Sequence, residues 1–323
     1  MPTLTQLEYA LAVEKHRHFG KASQFCAVTQ PTLSQQLQKL EDEIGIVLFD
    51  RLKKPILPTT EGKRFLDQAR VVLREHEKLL QITKQSLTGE PGGEFRLAVI
   101  PTIASHLLPR FLRVFSEKYP QVELYIEELK TETILEELQN DHLDGAILAT
   151  PLELKHFKIH PLYYEPFYSY FSAGHPLLKK SQITRDDLDP NELWLLQEGH
   201  CFKNQVLNFC ALPPTHSSAP AQIHFRSGSL DTLRRLVQTH CGFTLIPAMM
   251  AHSLDKKEFQ NHVRPFKAPT PTREVSFVYR RDHWKLNVVK AVEETVIQSL
   301  PEALKQKPQR NQSVIEINPN ASR

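Results

Sequence analysis

Cysteine is scarce in this chain: there are four in 323 residues. That excludes the dense disulfide framework of a small secreted domain. Excess charge is scarce too. The formal net charge is +3, so bulk electrostatics point to no class of partner. No apolar run approaches the roughly 20 residues that a membrane-spanning helix needs. The N-terminus lacks the unbroken apolar core of a signal peptide, because Glu8, Glu14, Lys15 and Arg17 interrupt it. No internal repeat is visible. These absences lead us to expect a soluble cytoplasmic protein with no membrane partner and no bound cofactor. The 40% hydrophobic and 24% charged residues are ordinary for a globular chain. The length suggests about two domains.

What is present begins with helical patterning. Leu4, Leu7, Leu11 and Ala12 recur at helix spacing. Residues 20–45 then read as helix, tight turn, helix. Ala22, Phe25 and Cys26 are expected on the inner face of the first. Thr29 suits an N-cap and Pro31 the first turn of the second helix. Leu33, Leu37 and Leu40 share one face of that helix. The opposite face offers Gln30, Thr32, Ser34, Gln35 and Gln38. Short hydroxyls and amides are groups that pair with base edges in a major groove. An ordinary solvated helix face has the same composition. Gly45 ends the helix, and a basic turn follows with Arg51, Lys53, Lys54, Lys63 and Arg64 against Glu61. Such a cluster can neutralise phosphates.

Residues 59–87 read as one long helix. Phe65, Leu66, Ala69, Val72, Leu73, Leu79, Leu80, Ile82 and Leu87 form an apolar stripe about as wide as a helix–helix seam. Nothing within that stretch covers it, so a partner chain is expected. The segment TGEPGGE at 88–94 breaks the pattern as a hinge. Strand-like and helix-like segments then alternate: strands near 94–100, 122–129, 143–149, 193–197, 222–227, 242–248 and 272–281, with helices near 106–120, 131–142, 229–240 and 284–299. The alternation predicts an α/β domain with a mainly parallel sheet. The polar tail from 306 reads as disordered.

This layout resembles the LysR-type transcriptional regulators, and FGKASQFCAVTQPTLSQQLQKLEDEIGIVLFDR carries the resemblance most closely. It implies an N-terminal winged helix-turn-helix, all-α plus a wing, then a long linker helix and a two-lobed α/β effector domain like a periplasmic binding protein. The expected bounds are 1–58 for the DNA-binding domain, 59–87 for the linker helix, 88–94 for the hinge, 95–305 for the regulatory domain and 306–323 for the tail. Within the family, VIPTIASHLLP, EELKTETIL, EGHCFKNQVLNFC, IHFRSGSLDTLR and FVYR resemble the peroxide-sensing members. The resemblance covers roughly 1–300. It implies a regulator rather than an enzyme. The implied partners are double-stranded promoter DNA, hydrogen peroxide, RNA polymerase and a thiol reductant, and the implied assembly is a homotetramer made of two dimers. The expected DNA-facing residues are Gln30, Pro31, Thr32, Ser34, Gln35, Arg51 and Lys53.

The resemblance also implies that peroxide oxidises Cys201 to a sulfenic acid and that Cys210 resolves it to a disulfide. Thr102 and Thr131 match positions whose hydroxyls hold peroxide or its water. His200, His224 and Arg273 would add positive potential. A helix start at Cys201 would favour its thiolate. Nine positions along a continuous helix turn the side chains to opposite faces and separate them by about 13 Å. A disulfide needs Cα atoms within roughly 7 Å. Pairing Cys201 with Cys210 therefore requires that any such helix break. Two features depart from the pattern. Asn204 stands where the peroxide-sensing members carry aspartate, and the loop 211–222 is longer and richer in proline.

Other readings stay open. The cysteines can be inert core thiols in a LysR-type regulator of a small organic effector. A thiol peroxidase would share the first chemical step. His200, Cys201, Cys210 and His216 could bind a metal, although that spacing is unusual for zinc. Cys26 and Cys241 read as small core residues.

Overall fold

The computed structural model describes residues 1–51, 53–88, 90–152, 155–196, 201–213, 228–281, 283, 285–305 and 312–315, but not the side chains at 74, 77, 78 and 81–88. Contacts divide the chain into two units, Met1–Glu90 and Pro91–Arg323.

The first unit runs α1 (Leu4–His16), α2 (Phe19–Phe25), α3 (Gln30–Ile44), β1 (Phe49–Asp50), β2 (Leu57–Pro58) and α4 (Thr60–Thr88). At the head of α3 the Thr29 hydroxyl accepts a hydrogen bond from the Thr32 backbone N–H, and Pro31 occupies the first turn, where no backbone donor is missed. Gly45 closes the helix at φ +71°, a left-handed conformation that costs glycine little. Ala10, Val13, Ala22, Leu33, Leu37, Leu40, Leu48 and Leu66 form the core. β1 and β2 pair antiparallel as the wing. Phe25 departs from expectation. It is 61% exposed, with the His16 ring 5.0 Å away and Lys15 Nζ 5.0 Å over its face. The early part of α4 also departs. Leu66 belongs to the core, and Arg70 pairs with Glu14 on α1 and Asp67 on α4. Among the described side chains, the stripe is uncovered farther along, at Val72, Leu79 and Leu80.

The second unit begins with β3 (Gly93–Val99), α5 (Pro101–Lys118), β4 (Val122–Glu128), α6 (Thr131–Gln139), β5 (Gly145–Thr150) and β6 (Phe157–Phe171). It continues with α7 (Cys201–Cys210), α8 (Leu230–Thr239), β7 (Phe243–Pro247), α9 (Ala248–Ala251) and α10 (Lys256–His262). It closes with β8 (Val263–Pro265), β9 (Thr270–Arg280), α11 (Leu286–Ser299) and β10 (Gln312–Val314). The strand order is β4-β3-β5-β9-β6-β7, with β10 beside β9 and β8 beside β6. This is an α/β unit with two lobes, each with its own core. One core holds Phe111, Ile147, Phe277 and Val292; the other holds Phe171, Trp194, Phe243 and Leu245.

The sheet is mixed, not mainly parallel. β3 pairs parallel with β4 and β5, as the strand–helix alternation requires. β9 then returns antiparallel beside β5 and β6, and β6 pairs antiparallel with β7 and β8. β6 is the element the sequence hides. Pro161 and Pro166 read as breakers, yet the strand passes both, with a register shift between Pro161 and Tyr163. It pairs with β9 first and with β7 last, so it carries the chain from one lobe to the other. Residues 193–196 form no strand; Leu193 makes only an isolated bridge to Phe243. The expected strand at 222–227 lies outside the described residues. α5 starts earlier than expected, at Pro101.

The tail also differs from the expectation of disorder. Gln312–Val314 pair parallel with Thr270–Thr272 of β9, and Ile315 is buried. β5 leaves β9 at Glu274, which opens the backbone donors and acceptors farther down that edge. An open edge of this kind favours a pairing strand. Among the described residues, no helix is long and apolar enough to cross a membrane.

Candidate functional site

α7 carries Cys201 at its head and Cys210 at its foot. Both thiols are free. Cys201 packs into the first lobe's core, whereas Phe202, Val206 and Leu207 pack into the second. The head of α7 therefore sits where the lobes meet. Nine steps of helical rise put the two Cα atoms about 13 Å apart, roughly twice a disulfide's reach.

Elements of both lobes converge on the Cys201 sulfur. Thr102 lies in the first turn of α5 and Thr131 is the first residue of α6. Arg273 comes from β9 and Glu165 from β6, paired across the strands. Arg273 Nε and Nη2 donate to Glu165 Oε2 at 2.8 and 2.6 Å. Its Nη1 donates to Thr102 Oγ1 and its Nη2 to the Thr102 carbonyl, both at 3.1 Å. The Met249 backbone N–H donates to the other Glu165 oxygen at 2.7 Å. The guanidinium carbon stands 5.8 Å from the centre of the Phe202 ring. Arg273 and Glu165 are both buried. An ion pair this deep persists because nearly every donor and acceptor is satisfied.

Two hydroxyls are different. Thr131 Oγ1 and Tyr163 Oη are buried and have no hydrogen-bond partner among the described residues. Thr131 Oγ1 faces the Cys201 sulfur but falls short of full hydrogen-bond geometry. Buried orphan hydroxyls are rare and call for an explanation.

Burial pushes the Cys201 thiol above the ordinary cysteine range. The Thr131 hydroxyl, the Arg273 charge and the backbone N–H groups of Phe202 and Ala149 pull it down without reversing the shift. The expectation that the helix start, with basic neighbours adding to it, would favour a thiolate is thus corrected. The start is where it was expected, but desolvation outweighs it. Burial pushes Cys210 up to about 12, with Arg185 opposing. Burial also holds His106 on α5 below the usual imidazole range, against the field of Glu165. Burial and Glu165 together raise the Tyr163 hydroxyl.

Of the expected site residues, the fold brings Cys201, Thr102, Thr131 and Arg273 together. Asn204 is half-buried on α7, one turn beyond Cys201. Cys210 is at the far end of the helix. His200 and His224 lie outside the described residues, as does most of the loop 211–222. Cys241 is exposed, not core, in the turn after α8, and Cys26 is half-buried. The sequence reading missed Glu165, Tyr163 and His106. Glu165 had a signal: it is the only acid in the aromatic run PLYYEPFYSYF, and a buried strand tolerates a lone carboxylate only with a cation beside it.

In the first unit, Gln30, Pro31, Thr32 and Gln35 are exposed along α3, and Ser34 is half-buried. Thr32 Oγ1 shares a 2.8 Å hydrogen bond with Thr29 Oγ1. Gln38 turns instead to Asp42, at 3.0 Å. Two of the wing cations, Arg51 and Lys53, are already engaged. Arg51 Nη2 donates to Glu41 Oε2 at 2.6 Å, and its guanidinium lies 5.4 Å from the centre of the Phe19 ring. Lys53 Nζ is 3.5 Å from Asp50.

A family model described as a bacterial regulatory helix-turn-helix protein of the lysR family matches residues 4–63. A second, the LysR substrate binding domain, matches residues 88–301. The DNA-binding transcriptional dual regulator OxyR of Escherichia coli (strain K12) is 36% identical over 278 residues, 86% of this chain and 89% of that protein. The chain belongs to the OxyR group of the LysR family. A probable hydrogen peroxide-inducible genes activator of Mycobacterium leprae is 31% identical over 86% of this chain and 88% of its own length. A full-length OxyR from Pseudomonas aeruginosa matches in structure with a TM-score of 0.76 at 31% identity, covering 92% of this chain and 98% of that one. An H2O2-bound OxyR mutant from Corynebacterium glutamicum matches with a TM-score of 0.60 at 28% identity, covering 93% of this chain and 92% of that one.

Proposed function

We propose that this transcriptional regulator senses hydrogen peroxide through Cys201 and Cys210 and alters promoter binding when they pair. The observation that carries the reading is the placement of Cys201. It is buried at the lobe junction, at the head of a helix, facing an unpartnered Thr131 hydroxyl and a guanidinium that also holds Thr102. Peroxide can both donate to and accept from such groups. The Cys201 thiolate attacks one peroxide oxygen, the O–O bond breaks, and the sulfur becomes a sulfenic acid. The departing hydroxide takes up a proton and leaves as water. Cys210 then attacks the Cys201 sulfur, forming the disulfide and releasing a second water. A cellular thiol reductant returns two electrons and resets the pair. The second step requires α7 to unwind, and unwinding frees Cys210 from the packing that keeps it protonated. Footprinting of a candidate promoter with dithiol and disulfide protein tests the reading. A changed footprint supports it; an identical footprint in both states overturns it.

The raised Cys201 thiol has a kinetic consequence. Below its pKa, the thiolate fraction grows about tenfold per pH unit, so the peroxide rate constant is expected to climb through and above neutral pH. Asn204→Asp adds a like charge one turn away and raises the thiol further. It also adds a proton relay to the departing hydroxide, worth about 10²-fold or more. The variant is therefore expected to gain most at high pH, where both sulfurs are ionised. Stopped-flow rates across pH decide the matter. An equal or slower variant on the high-pH plateau contradicts the relay.

Gln30, Thr32, Ser34 and Gln35 are assigned to the major groove, with Pro31 shaping the helix entry. Arg51 is assigned to the DNA backbone or minor groove, and Lys53 to the backbone. Thr32→Ala is expected to erode discrimination. Arg51→Ala is expected to weaken specific and random DNA binding together, and to loosen the wing through the loss of its bond to Glu41. Unchanged binding by both variants, measured by fluorescence anisotropy, would remove this placement.

The exposed apolar residues along α4 are assigned to a partner chain, with two dimers forming a tetramer. Light scattering at micromolar concentration is expected to give a multimer. A monomer mass contradicts the assignment. Contact with RNA polymerase is assigned to the promoter-bound form.

A further inference from the structure

The sequence after residue 301 lies beyond both family models, yet part of it is built into the sensor. β10 runs parallel to β9, with Gln312 opposite Thr270 and Val314 opposite Thr272. The Ile315 backbone N–H donates to the Thr272 carbonyl at 2.9 Å, and the next residue on β9 is Arg273. The Ile315 side chain is 9% exposed and joins the core that holds Phe202, Val206 and Leu207 of α7. Its carbonyl accepts a 3.5 Å hydrogen bond from Gln205 Nε2. Gln205 is fully buried and lies on α7 between the two cysteines. One short segment thus grips β9 by its backbone and α7 by a side chain and a carbonyl.

We propose that residues 312–315 are an intramolecular strap that holds α7 in its helical, dithiol form and so raises the threshold for oxidation. The proposal rests on Cys201 and Cys210 being the reacting pair. A disulfide between them requires a broken helix, whereas the strap's bond to Gln205 and its place in the core that holds Phe202 and Val206 belong to the intact one. Whatever binds one state alone shifts the equilibrium toward that state. The strap and the disulfide are therefore mutually exclusive, and oxidation releases the tail. β9 transmits the same contact to Arg273 through the adjacent Thr272. The strap thus bears on both the sulfur's helix and the strand that supplies its cation.

The test uses the full-length protein and three forms of residue 315: wild type, Ile315→Asp and Ile315→Val. Hydrogen exchange is followed in the dithiol state at the α7 amides, at 312–315 and at the β3 and β5 amides as a folding control. In Ile315→Asp, the α7 amides are expected to exchange at least about tenfold faster, with β3 and β5 unchanged, because a charge expels the buried side chain. Ile315→Val is expected to stay close to wild type. In glutathione buffers the Ile315→Asp pair is expected to shift toward disulfide by a similar factor. Wild-type protein carrying the disulfide is expected to lose protection at 312–315, a comparison that needs no variant. Unchanged α7 exchange in a folded Ile315→Asp protein would overturn the strap, as would full protection of 312–315 beside a mapped Cys201–Cys210 disulfide. Failure of any such disulfide to form marks the loss of the sensing pair instead, and peptide mapping in the same samples separates the two outcomes.

Discussion

Cys201→Ser is expected to abolish the response to peroxide altogether. The reacting species is a thiolate, and a serine hydroxyl in the same buried position offers no comparable nucleophile. The surrounding groups do not compensate. Arg273 is already committed to Glu165 and Thr102, and Thr131 supplies a hydroxyl rather than a base. Cys210→Ser should behave differently. Cys201 still reacts, but its sulfenic acid finds no resolving thiol within α7 and persists. A dimedone-type trap reads that species directly. A normal disulfide within the chain in either variant, seen by peptide mapping, would contradict the pairing. The loss in Cys201→Ser should be complete at every pH, whereas the wild-type rate rises with pH.

Arg273→Ala carries the second large effect, and it acts on two quantities. The first is stability. Glu165 has no exposed surface, and both Arg273 bonds to it end on the same oxygen. Removing the cation leaves a buried carboxylate with one backbone N–H from Met249. Breaking one side of a buried pair costs about 3–5 kcal/mol. Replacing both partners, as in Glu165→Leu with Arg273→Leu, should recover most of that loss, since no charge is then stranded. The second quantity is reactivity. The guanidinium orients Thr102 and lowers the Cys201 thiol, so the peroxide rate should fall at least about tenfold in the single variant. It should not return in the double variant. Denaturant unfolding of the dithiol protein and stopped-flow kinetics separate the two. A single variant within about 1 kcal/mol of wild type would show that the pair is not the buried keystone described above.

Most of this architecture was legible in the sequence, and the parts that were not have identifiable causes. Thr29, Pro31 and Gly45 announced both ends of α3 because caps are local. The alternation of β3, α5, β4, α6 and β5 was readable because each element repeats its own period. β6 was not readable, because Pro161 and Pro166 mimic breaks and only pairing with β9 on one side and β7 on the other makes it a strand. The antiparallel return of β9 is a tertiary fact that no local pattern carries. The tail reads as polar, and only the open edge of β9 and the core shared with α7 order Gln312–Ile315. At the site, Cys201, Thr102, Thr131 and Arg273 were each reachable by resemblance. Glu165 was not, although a lone acid among aromatics was its trace. Without Glu165 the Arg273 charge looks free, although the ion pair already holds it. Arg51 shows the same limit. A wing arginine suggests phosphate, yet Glu41 and Phe19 already hold it.

Thiol counting after stoichiometric peroxide tests the central claim most directly. The dithiol protein has four free cysteines. One equivalent of hydrogen peroxide is expected to remove two of them, with Cys201 and Cys210 recovered in one disulfide-linked peptide pair and Cys26 and Cys241 untouched. Four remaining thiols, or a linkage through Cys26 or Cys241 in place of that pair, would contradict it.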